Sequence, residues 1–196
     1  MNNFPEDEEP LLPVGGNYRK LFTFQKAEAI YDITWYFCNN YINRFDRTFD
    51  QMIQAARSGK QNIAEGSAAS VTSKETEIKL INVAKSSSQE LMNDYQDYLR
   101  TRGHREWEKG SVEVEKMREL GREHNDTGFY MPLVKVRPPE TIANIALCLL
   151  RQNDYLLSQQ LKSLGEDFLN NGGLRERMTR MRKNRRTKND ENEQQG

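Results

Sequence analysis

The sequence predicts an all-α protein, an antiparallel up-down four-helix bundle with a charged helical insertion and a basic C-terminal extension. Three observations carry that class. Apolar residues recur at three- and four-residue steps over four long stretches, the spacing that gathers them on one face of a helix. Period-two alternation is missing apart from the strand-like scrap Leu133-Val134-Lys135-Val136. All but one of the connections between the long stretches are short, which makes successive helices antiparallel neighbours.

The elements follow in order. Residues 1–17 hold Pro5, Pro10, Pro13 and Gly15-Gly16 and read as a flexible lead-in. The first helix begins at Tyr18, with Leu21, Phe24, Ala27, Ile30, Ile33, Phe37 and Tyr41 as its stripe. The second starts near Asp46 and carries Phe49, Met52, Ile53, Ala56 and Ile63, with 66–70 as a small-residue turn. Thr72-Ser73-Lys74-Glu75 reads as a capping box, the threonine hydroxyl and the glutamate satisfying free backbone N–H groups of a third helix. That helix runs through Ile78, Ile81, Ala84, Ser88, Leu91, Tyr95 and Leu99, and its small segment 84–88 invites a close neighbour. Gly103 ends it. Residues 104–128 are densely charged, with only Trp107, Val114, Met117 and Leu120 in line, and are expected to form a solvated arm with few core contacts. Pro138-Pro139 opens the fourth helix, since proline costs nothing at a first helical position. Its stripe runs from Ile142 to Phe168 and stops at Gly172-Gly173. The bundle is thus expected over 18–173 and a basic tail over 174–196.

The chain has 196 residues, 36% hydrophobic and 30% charged, which suits one domain with appendages. Lys plus Arg equals Asp plus Glu at 29 each, but the layout is lopsided. Residues 1–9 are net −4, residues 174–189 net +7 and the last seven net −3. The longest apolar run, 145–150, is far short of the roughly 20 residues a spanning helix needs. The acidic N-terminus has no apolar signal core, and two cysteines suit a reducing compartment. A cytoplasmic protein with no membrane partner is the expectation.

Little in the chain resembles a catalytic motif. His104 and His124, with Glu108 or Asp126, are the one thin metal-binding option; an exposed, unligated role suits so polar a stretch better. Cys38 and Cys148 sit on apolar stripes, where a thiol behaves as a small hydrophobe. No enzyme, no metal and no cofactor is expected. The positive signal is the C-terminal block: Arg175, Arg177, Arg180, Arg182, Lys183, Arg185, Arg186 and Lys188 surround a helix, leaving Leu174, Met178 and Met181 as a narrow apolar edge. Arginine's planar fork suits phosphate, and such runs attract nucleic-acid backbones with little sequence preference.

Gln51 to Gly66, Ser73-Lys74-Glu75 and Ala84 to Leu91 together resemble the four-helix-bundle family encoded in intervening sequences of bacterial 23S rRNA genes. Phe24-Gln25-Lys26-Ala27 is similar to that family's opening motif, and the likeness spans roughly residues 20–100. Asn62-Ile63-Ala64-Glu65-Gly66 is its most specific part. The resemblance implies non-enzymatic bundles that assemble as pentameric rings, with kinship to the nucleic-acid-binding accessory protein of diversity-generating retroelements. Ile53-Gln54 replaces the family's paired arginines and Lys60 its proline, so basic character is expected to have moved to the tail. Asn62, Glu65 and Gly66 are expected to be structural, terminating the second helix.

The expected function is therefore a non-catalytic oligomeric bundle that binds RNA or DNA electrostatically. The alternative is a protein-interaction adaptor of a mobile-element or ribosome-associated system, with the charged arm and the fourth helix engaging a protein partner. Surplus aromatic residues on the first helix, at Phe22, Tyr31, Trp35 and Tyr36, favour a homo-oligomer, since a bundle core needs only one stripe per helix.

Overall fold

The computed structural model describes the backbone of residues 17–193 and the side chains up to Thr187. The lead-in expected over 1–17 lies, Asn17 apart, outside the described residues. The protein is all-α: after a 3₁₀ turn at Tyr18–Lys20 come α1 (Phe22–Tyr41), α2 (Arg47–Ala69), α3 (Lys74–Thr101), α4 (Val112–Glu123), α5 (Thr127–Lys135), α6 (Pro139–Asn171) and α7 (Leu174–Glu193). Among the described residues no helix is long and apolar enough to cross a membrane.

Local chemistry sets most boundaries. Asp46 caps α2 by accepting from the Thr48 N–H at 2.9 Å, and Asp126 caps α5 by accepting from Phe129 at 3.0 Å. The α3 cap is Ser73, not Thr72: Ser73 Oγ accepts from the Thr76 N–H, while the Thr72 hydroxyl turns back to the Ala69 carbonyl. Glu75 pairs with Lys79 and takes no part in the cap. Pro138 and Pro139 open α6, and Gly172, at φ +71°, closes it in a conformation that favours glycine.

The four long helices form the core of a helical bundle. α1 packs on α2 and α6, and α3 packs on α2 and α6. One apolar cluster is built on Ile33, Phe37, Met52, Tyr95, Leu99 and Leu149, and a second on Phe24, Ile63, Ile81 and Leu157. Burial of each large side chain contributes roughly 1.5–3 kcal/mol. The small segment of α3 meets small residues of α2: Ser58 Oγ lies 2.9 Å from Ser87 Oγ, and a Cβ on Gly59 would stand 3.5 Å from Ser88 Oγ.

Three expectations are corrected. The stretch 66–70 is not a turn up to its last residue: α2 continues to Ala69. Gly66 is buried inside it, where a Cβ would stand 3.3 Å from Ile81 Cδ1 and 3.4 Å from Leu80 Cβ. The strand-like 133–136 is mostly helix, as α5 runs to Lys135. The charged 104–128 stretch is no solvated arm. Val114 and Met117 are buried where α4 meets α6, and just beyond the stretch Tyr130 and Val134 are buried where α5 meets α1. Apolar residues three apart suffice to seat so short a helix. Polar contacts fix it further: buried Asn144 accepts from the Trp107 N–H at 2.8 Å and donates to the Arg105 carbonyl at 3.0 Å, and Thr127 donates to Asp32 at 2.6 Å.

Candidate functional site

The basic block is helical. At about 100° per residue, Arg175, Arg182, Lys183, Arg185 and Arg186 fall within an arc of roughly 160°, with Arg177, Arg180 and Lys188 around the remainder. The first turns lie beside the bundle, where Leu174, Arg177 and Arg180 line a shallow hollow with residues 70–74 and Asp167. Beyond them residues 182–187 are all exposed, and Leu174, Met178 and Met181 are half-buried. Arg175, Arg180, Arg182, Lys183 and Arg186 make no ion pair among the described residues. The Lys188 side chain lies outside them. In the body Arg100, Arg105, Lys116, Arg118 and Arg151 each face a carboxylate, Asp97, Glu108, Glu119, Glu115 and Glu106 respectively, while Arg47, Lys135 and Arg137 are exposed without an ion pair among the described residues.

Two basic side chains on α2 and α3 are committed to packing. Lys60 of α2 sits 4.3 Å from the centre of the Tyr31 ring on α1. Lys85 of α3 donates to Ser158 at 2.6 Å and lies 3.7 Å from Asp154, both on α6. Arg57 is exposed. The motif residues do not terminate α2 as a set. Asn62 donates to the Ser58 carbonyl at 2.8 Å within the helix, Glu65 is exposed, and Gly66 faces α3.

Ring stacking places the histidines: His124 stacks on Phe129 with centroids 3.8 Å apart, and His104 lies over Tyr98 at 6.3 Å. Among the described residues, no group of three or more His, Cys, Asp or Glu is placed to hold a metal ion. Burial pushes the Cys38 thiol up to about 12, with Asp94 adding to the effect, and the Cys148 thiol up to about 11. Neither supplies a thiolate near neutral pH.

One side chain escaped the sequence reading. Lys26 is 1% exposed, in the second turn of α1. Its ammonium donates to the Gly121 carbonyl at 3.0 Å and to Gln152 Oε1 at 3.1 Å, both neutral. No carboxylate pairs with it among the described residues, and burial lowers its pKa to about 8. The signal was its position, four residues before Ile30 and seven before Ile33, on the buried stripe.

No family model, no curated protein and no solved structure matches this chain.

Proposed function

We propose that this is a non-catalytic, oligomeric helical-bundle protein of the cytoplasm that binds RNA or DNA electrostatically through α7. The observation that supports it best is the clustering of open charge. Five α7 cations, within residues 175–186, face solvent without an ion pair among the described residues, and Glu176 is the one acidic residue of 174–187. Free cations release counterions from a phosphate backbone on binding, and α7 offers no aromatic ring to stack on a base. Contact should therefore be weakly sequence-selective. Kinship with the bundles of 23S rRNA intervening sequences, and an antiparallel up-down arrangement of α1, α2, α3 and α6, belong to the same reading.

Neutralising five phosphates of a duplex gives a log–log salt slope of roughly −4 to −5. Replacing Arg182, Lys183, Arg185 and Arg186 with glutamine should abolish binding at about 100 mM salt, with helicity not reduced and particle size unchanged. Unchanged binding by that quadruple variant would sink the reading. The adaptor alternative would then rest on Tyr155, Phe168 and Leu169, exposed apolar residues on the outer half of α6.

Assembly, with a pentamer favoured, belongs to the same proposal. Part of the aromatic surplus on α1 is used within the chain, since Tyr31 and Tyr36 pack against the core. Trp35 remains half exposed, and Phe45, in the α1–α2 turn, is 97% exposed. These two support a subunit contact. A light-scattering mass equal to the chain's own 22.9 kDa at micromolar concentration would exclude it.

A further inference from the structure

A cavity of about 780 Å³ lies between α4, α6 and the 104–111 loop, with Lys26 of α1 reaching it from the core. Its inner wall is buried: Lys26, Val114, Gly121 and Cys148. Its rim is exposed and carries Lys109, Arg122, Arg151 and Tyr155. Volumes of 300–1,000 Å³ are typical of small-molecule sites.

The charges around it do not cancel. Arg151 is held by Glu106 and Arg118 by Glu115, while Glu108 is held by Arg105. That leaves Lys26, Lys109 and Arg122 without an ion pair at contact distance among the described residues. Lys26 matters most, because a buried ammonium with only neutral acceptors is costly. It has three N–H donors, and two are used, on Gly121 and Gln152.

The arrangement is held from several sides. Gln152 donates to the Met117 carbonyl at 2.8 Å while accepting from Lys26. A Cβ at position 121 would fall 1.8 Å from Gln152 Oε1, so only glycine lets that amide reach across. The loop bearing Trp107 is fixed by Asn144, and its Glu106 also accepts from Gln96 at 3.0 Å.

We propose that this cavity binds a small amphipathic carboxylate, its head group on Lys26 and its apolar body against Trp107, Val114 and Leu156. One buried ammonium with one unused donor matches a monoanion better than a multiply charged phosphate. The apolar wall supplies nothing to a bare inorganic ion and buries a ring or short alkyl chain well. The rim cations Lys109 and Arg122 draw anions inward. No residue of α7 lines the cavity, so this inference stands apart from nucleic-acid binding.

The test is a fluorescence titration of the full chain with anilinonaphthalene sulfonate, an aromatic monoanion. The expected result is saturable binding of one probe per chain, displaced by decanoate and not by inorganic phosphate. Lys26→Met should weaken it by at least about tenfold, the loss of one charge-assisted hydrogen bond. Uncharged phenylnaphthylamine should bind that variant as it binds the wild type. A Lys109→Gln/Arg122→Gln double variant, confined to the exposed rim, keeps the test valid if Lys26→Met misfolds. It should bind about threefold more weakly through lost steering and screening. Probe binding unchanged in either variant, phosphate displacing as well as decanoate, or loss of binding in the quadruple α7 variant would each overturn the proposal.

Discussion

Asn153 is fully buried on α6, and neither its amide nitrogen nor its oxygen has a partner among the described residues. Lys26 is buried as deeply but keeps two neutral acceptors. Both sites pay a desolvation penalty, and only one of them depends on pH. A buried amide left unsatisfied costs roughly 1–3 kcal/mol, so Asn153→Leu should raise stability by about that amount at every pH. For Lys26 the folded pKa is about 8 against an ordinary 10.5. Between those values the unfolded chain binds more protons, so wild-type stability rises with pH. The penalty is complete below about 8 and gone above about 10.5. It is worth about 3 kcal/mol, partly offset by the two hydrogen bonds. Lys26→Met should thus unfold at higher denaturant than wild type at pH 7, and that advantage should vanish across the window. Glu106, Arg118, Arg122, Cys148, Arg151 and Tyr155 line the same cavity and are common to both proteins, so the difference curve isolates Lys26. A lead that persists to high pH would contradict the assignment.

Helix ends written in single residues were legible: Asp46, Gly103, Pro138-Pro139 and Gly172 all stand where α2, α3 and α6 begin or end. What failed was the reading of the small residues at 66–69. Gly66-Ser67-Ala68-Ala69 has the composition of a turn, yet it forms the last turn of α2 against α3. Local composition cannot separate a chain that bends from a helix that must be approached closely, because both need small side chains. The distinction can be measured. Gly66→Val places branched carbons where Ile81, Leu80 and the Glu77 carbonyl already stand, and should cost roughly 1–3 kcal/mol in chemical unfolding. A neutral outcome would mean that α2 and α3 can part there freely. The 104–128 stretch failed for a related reason. Its charge density is real, but a helix of 12 residues needs only Val114, Met117 and Leu120 on its inner line to be held.

For the whole molecule, the all-α, bundle-like class was legible because three long helices follow one another through short connections and the fourth is too apolar to stand alone. The α7 cations were equally visible, since a charge run needs no tertiary information. The Lys26 cavity was not. It draws on α1, on residues 106–122 and on residues 148–156, and no local pattern announces that these converge. A single lysine on an apolar stripe was the trace it left. Which cations are paired, as Arg151 is with Glu106, likewise becomes visible only once the helices are placed, because sequence counts paired and open charges alike.

α7 has a consequence for energetics. Beyond its first turns it gains little from the bundle, so its helix–coil equilibrium is governed by its own residues, and an isolated helix of 20 residues is only modestly favourable. Arg182 stands three and four residues before Arg185 and Arg186, and such like-charged neighbours each oppose the helix by a few tenths of a kcal/mol. Anything that neutralises them tightens the coil into helix. A polyanion would therefore act on this segment as a folding ligand, and part of its binding free energy would be spent on ordering the very surface it contacts.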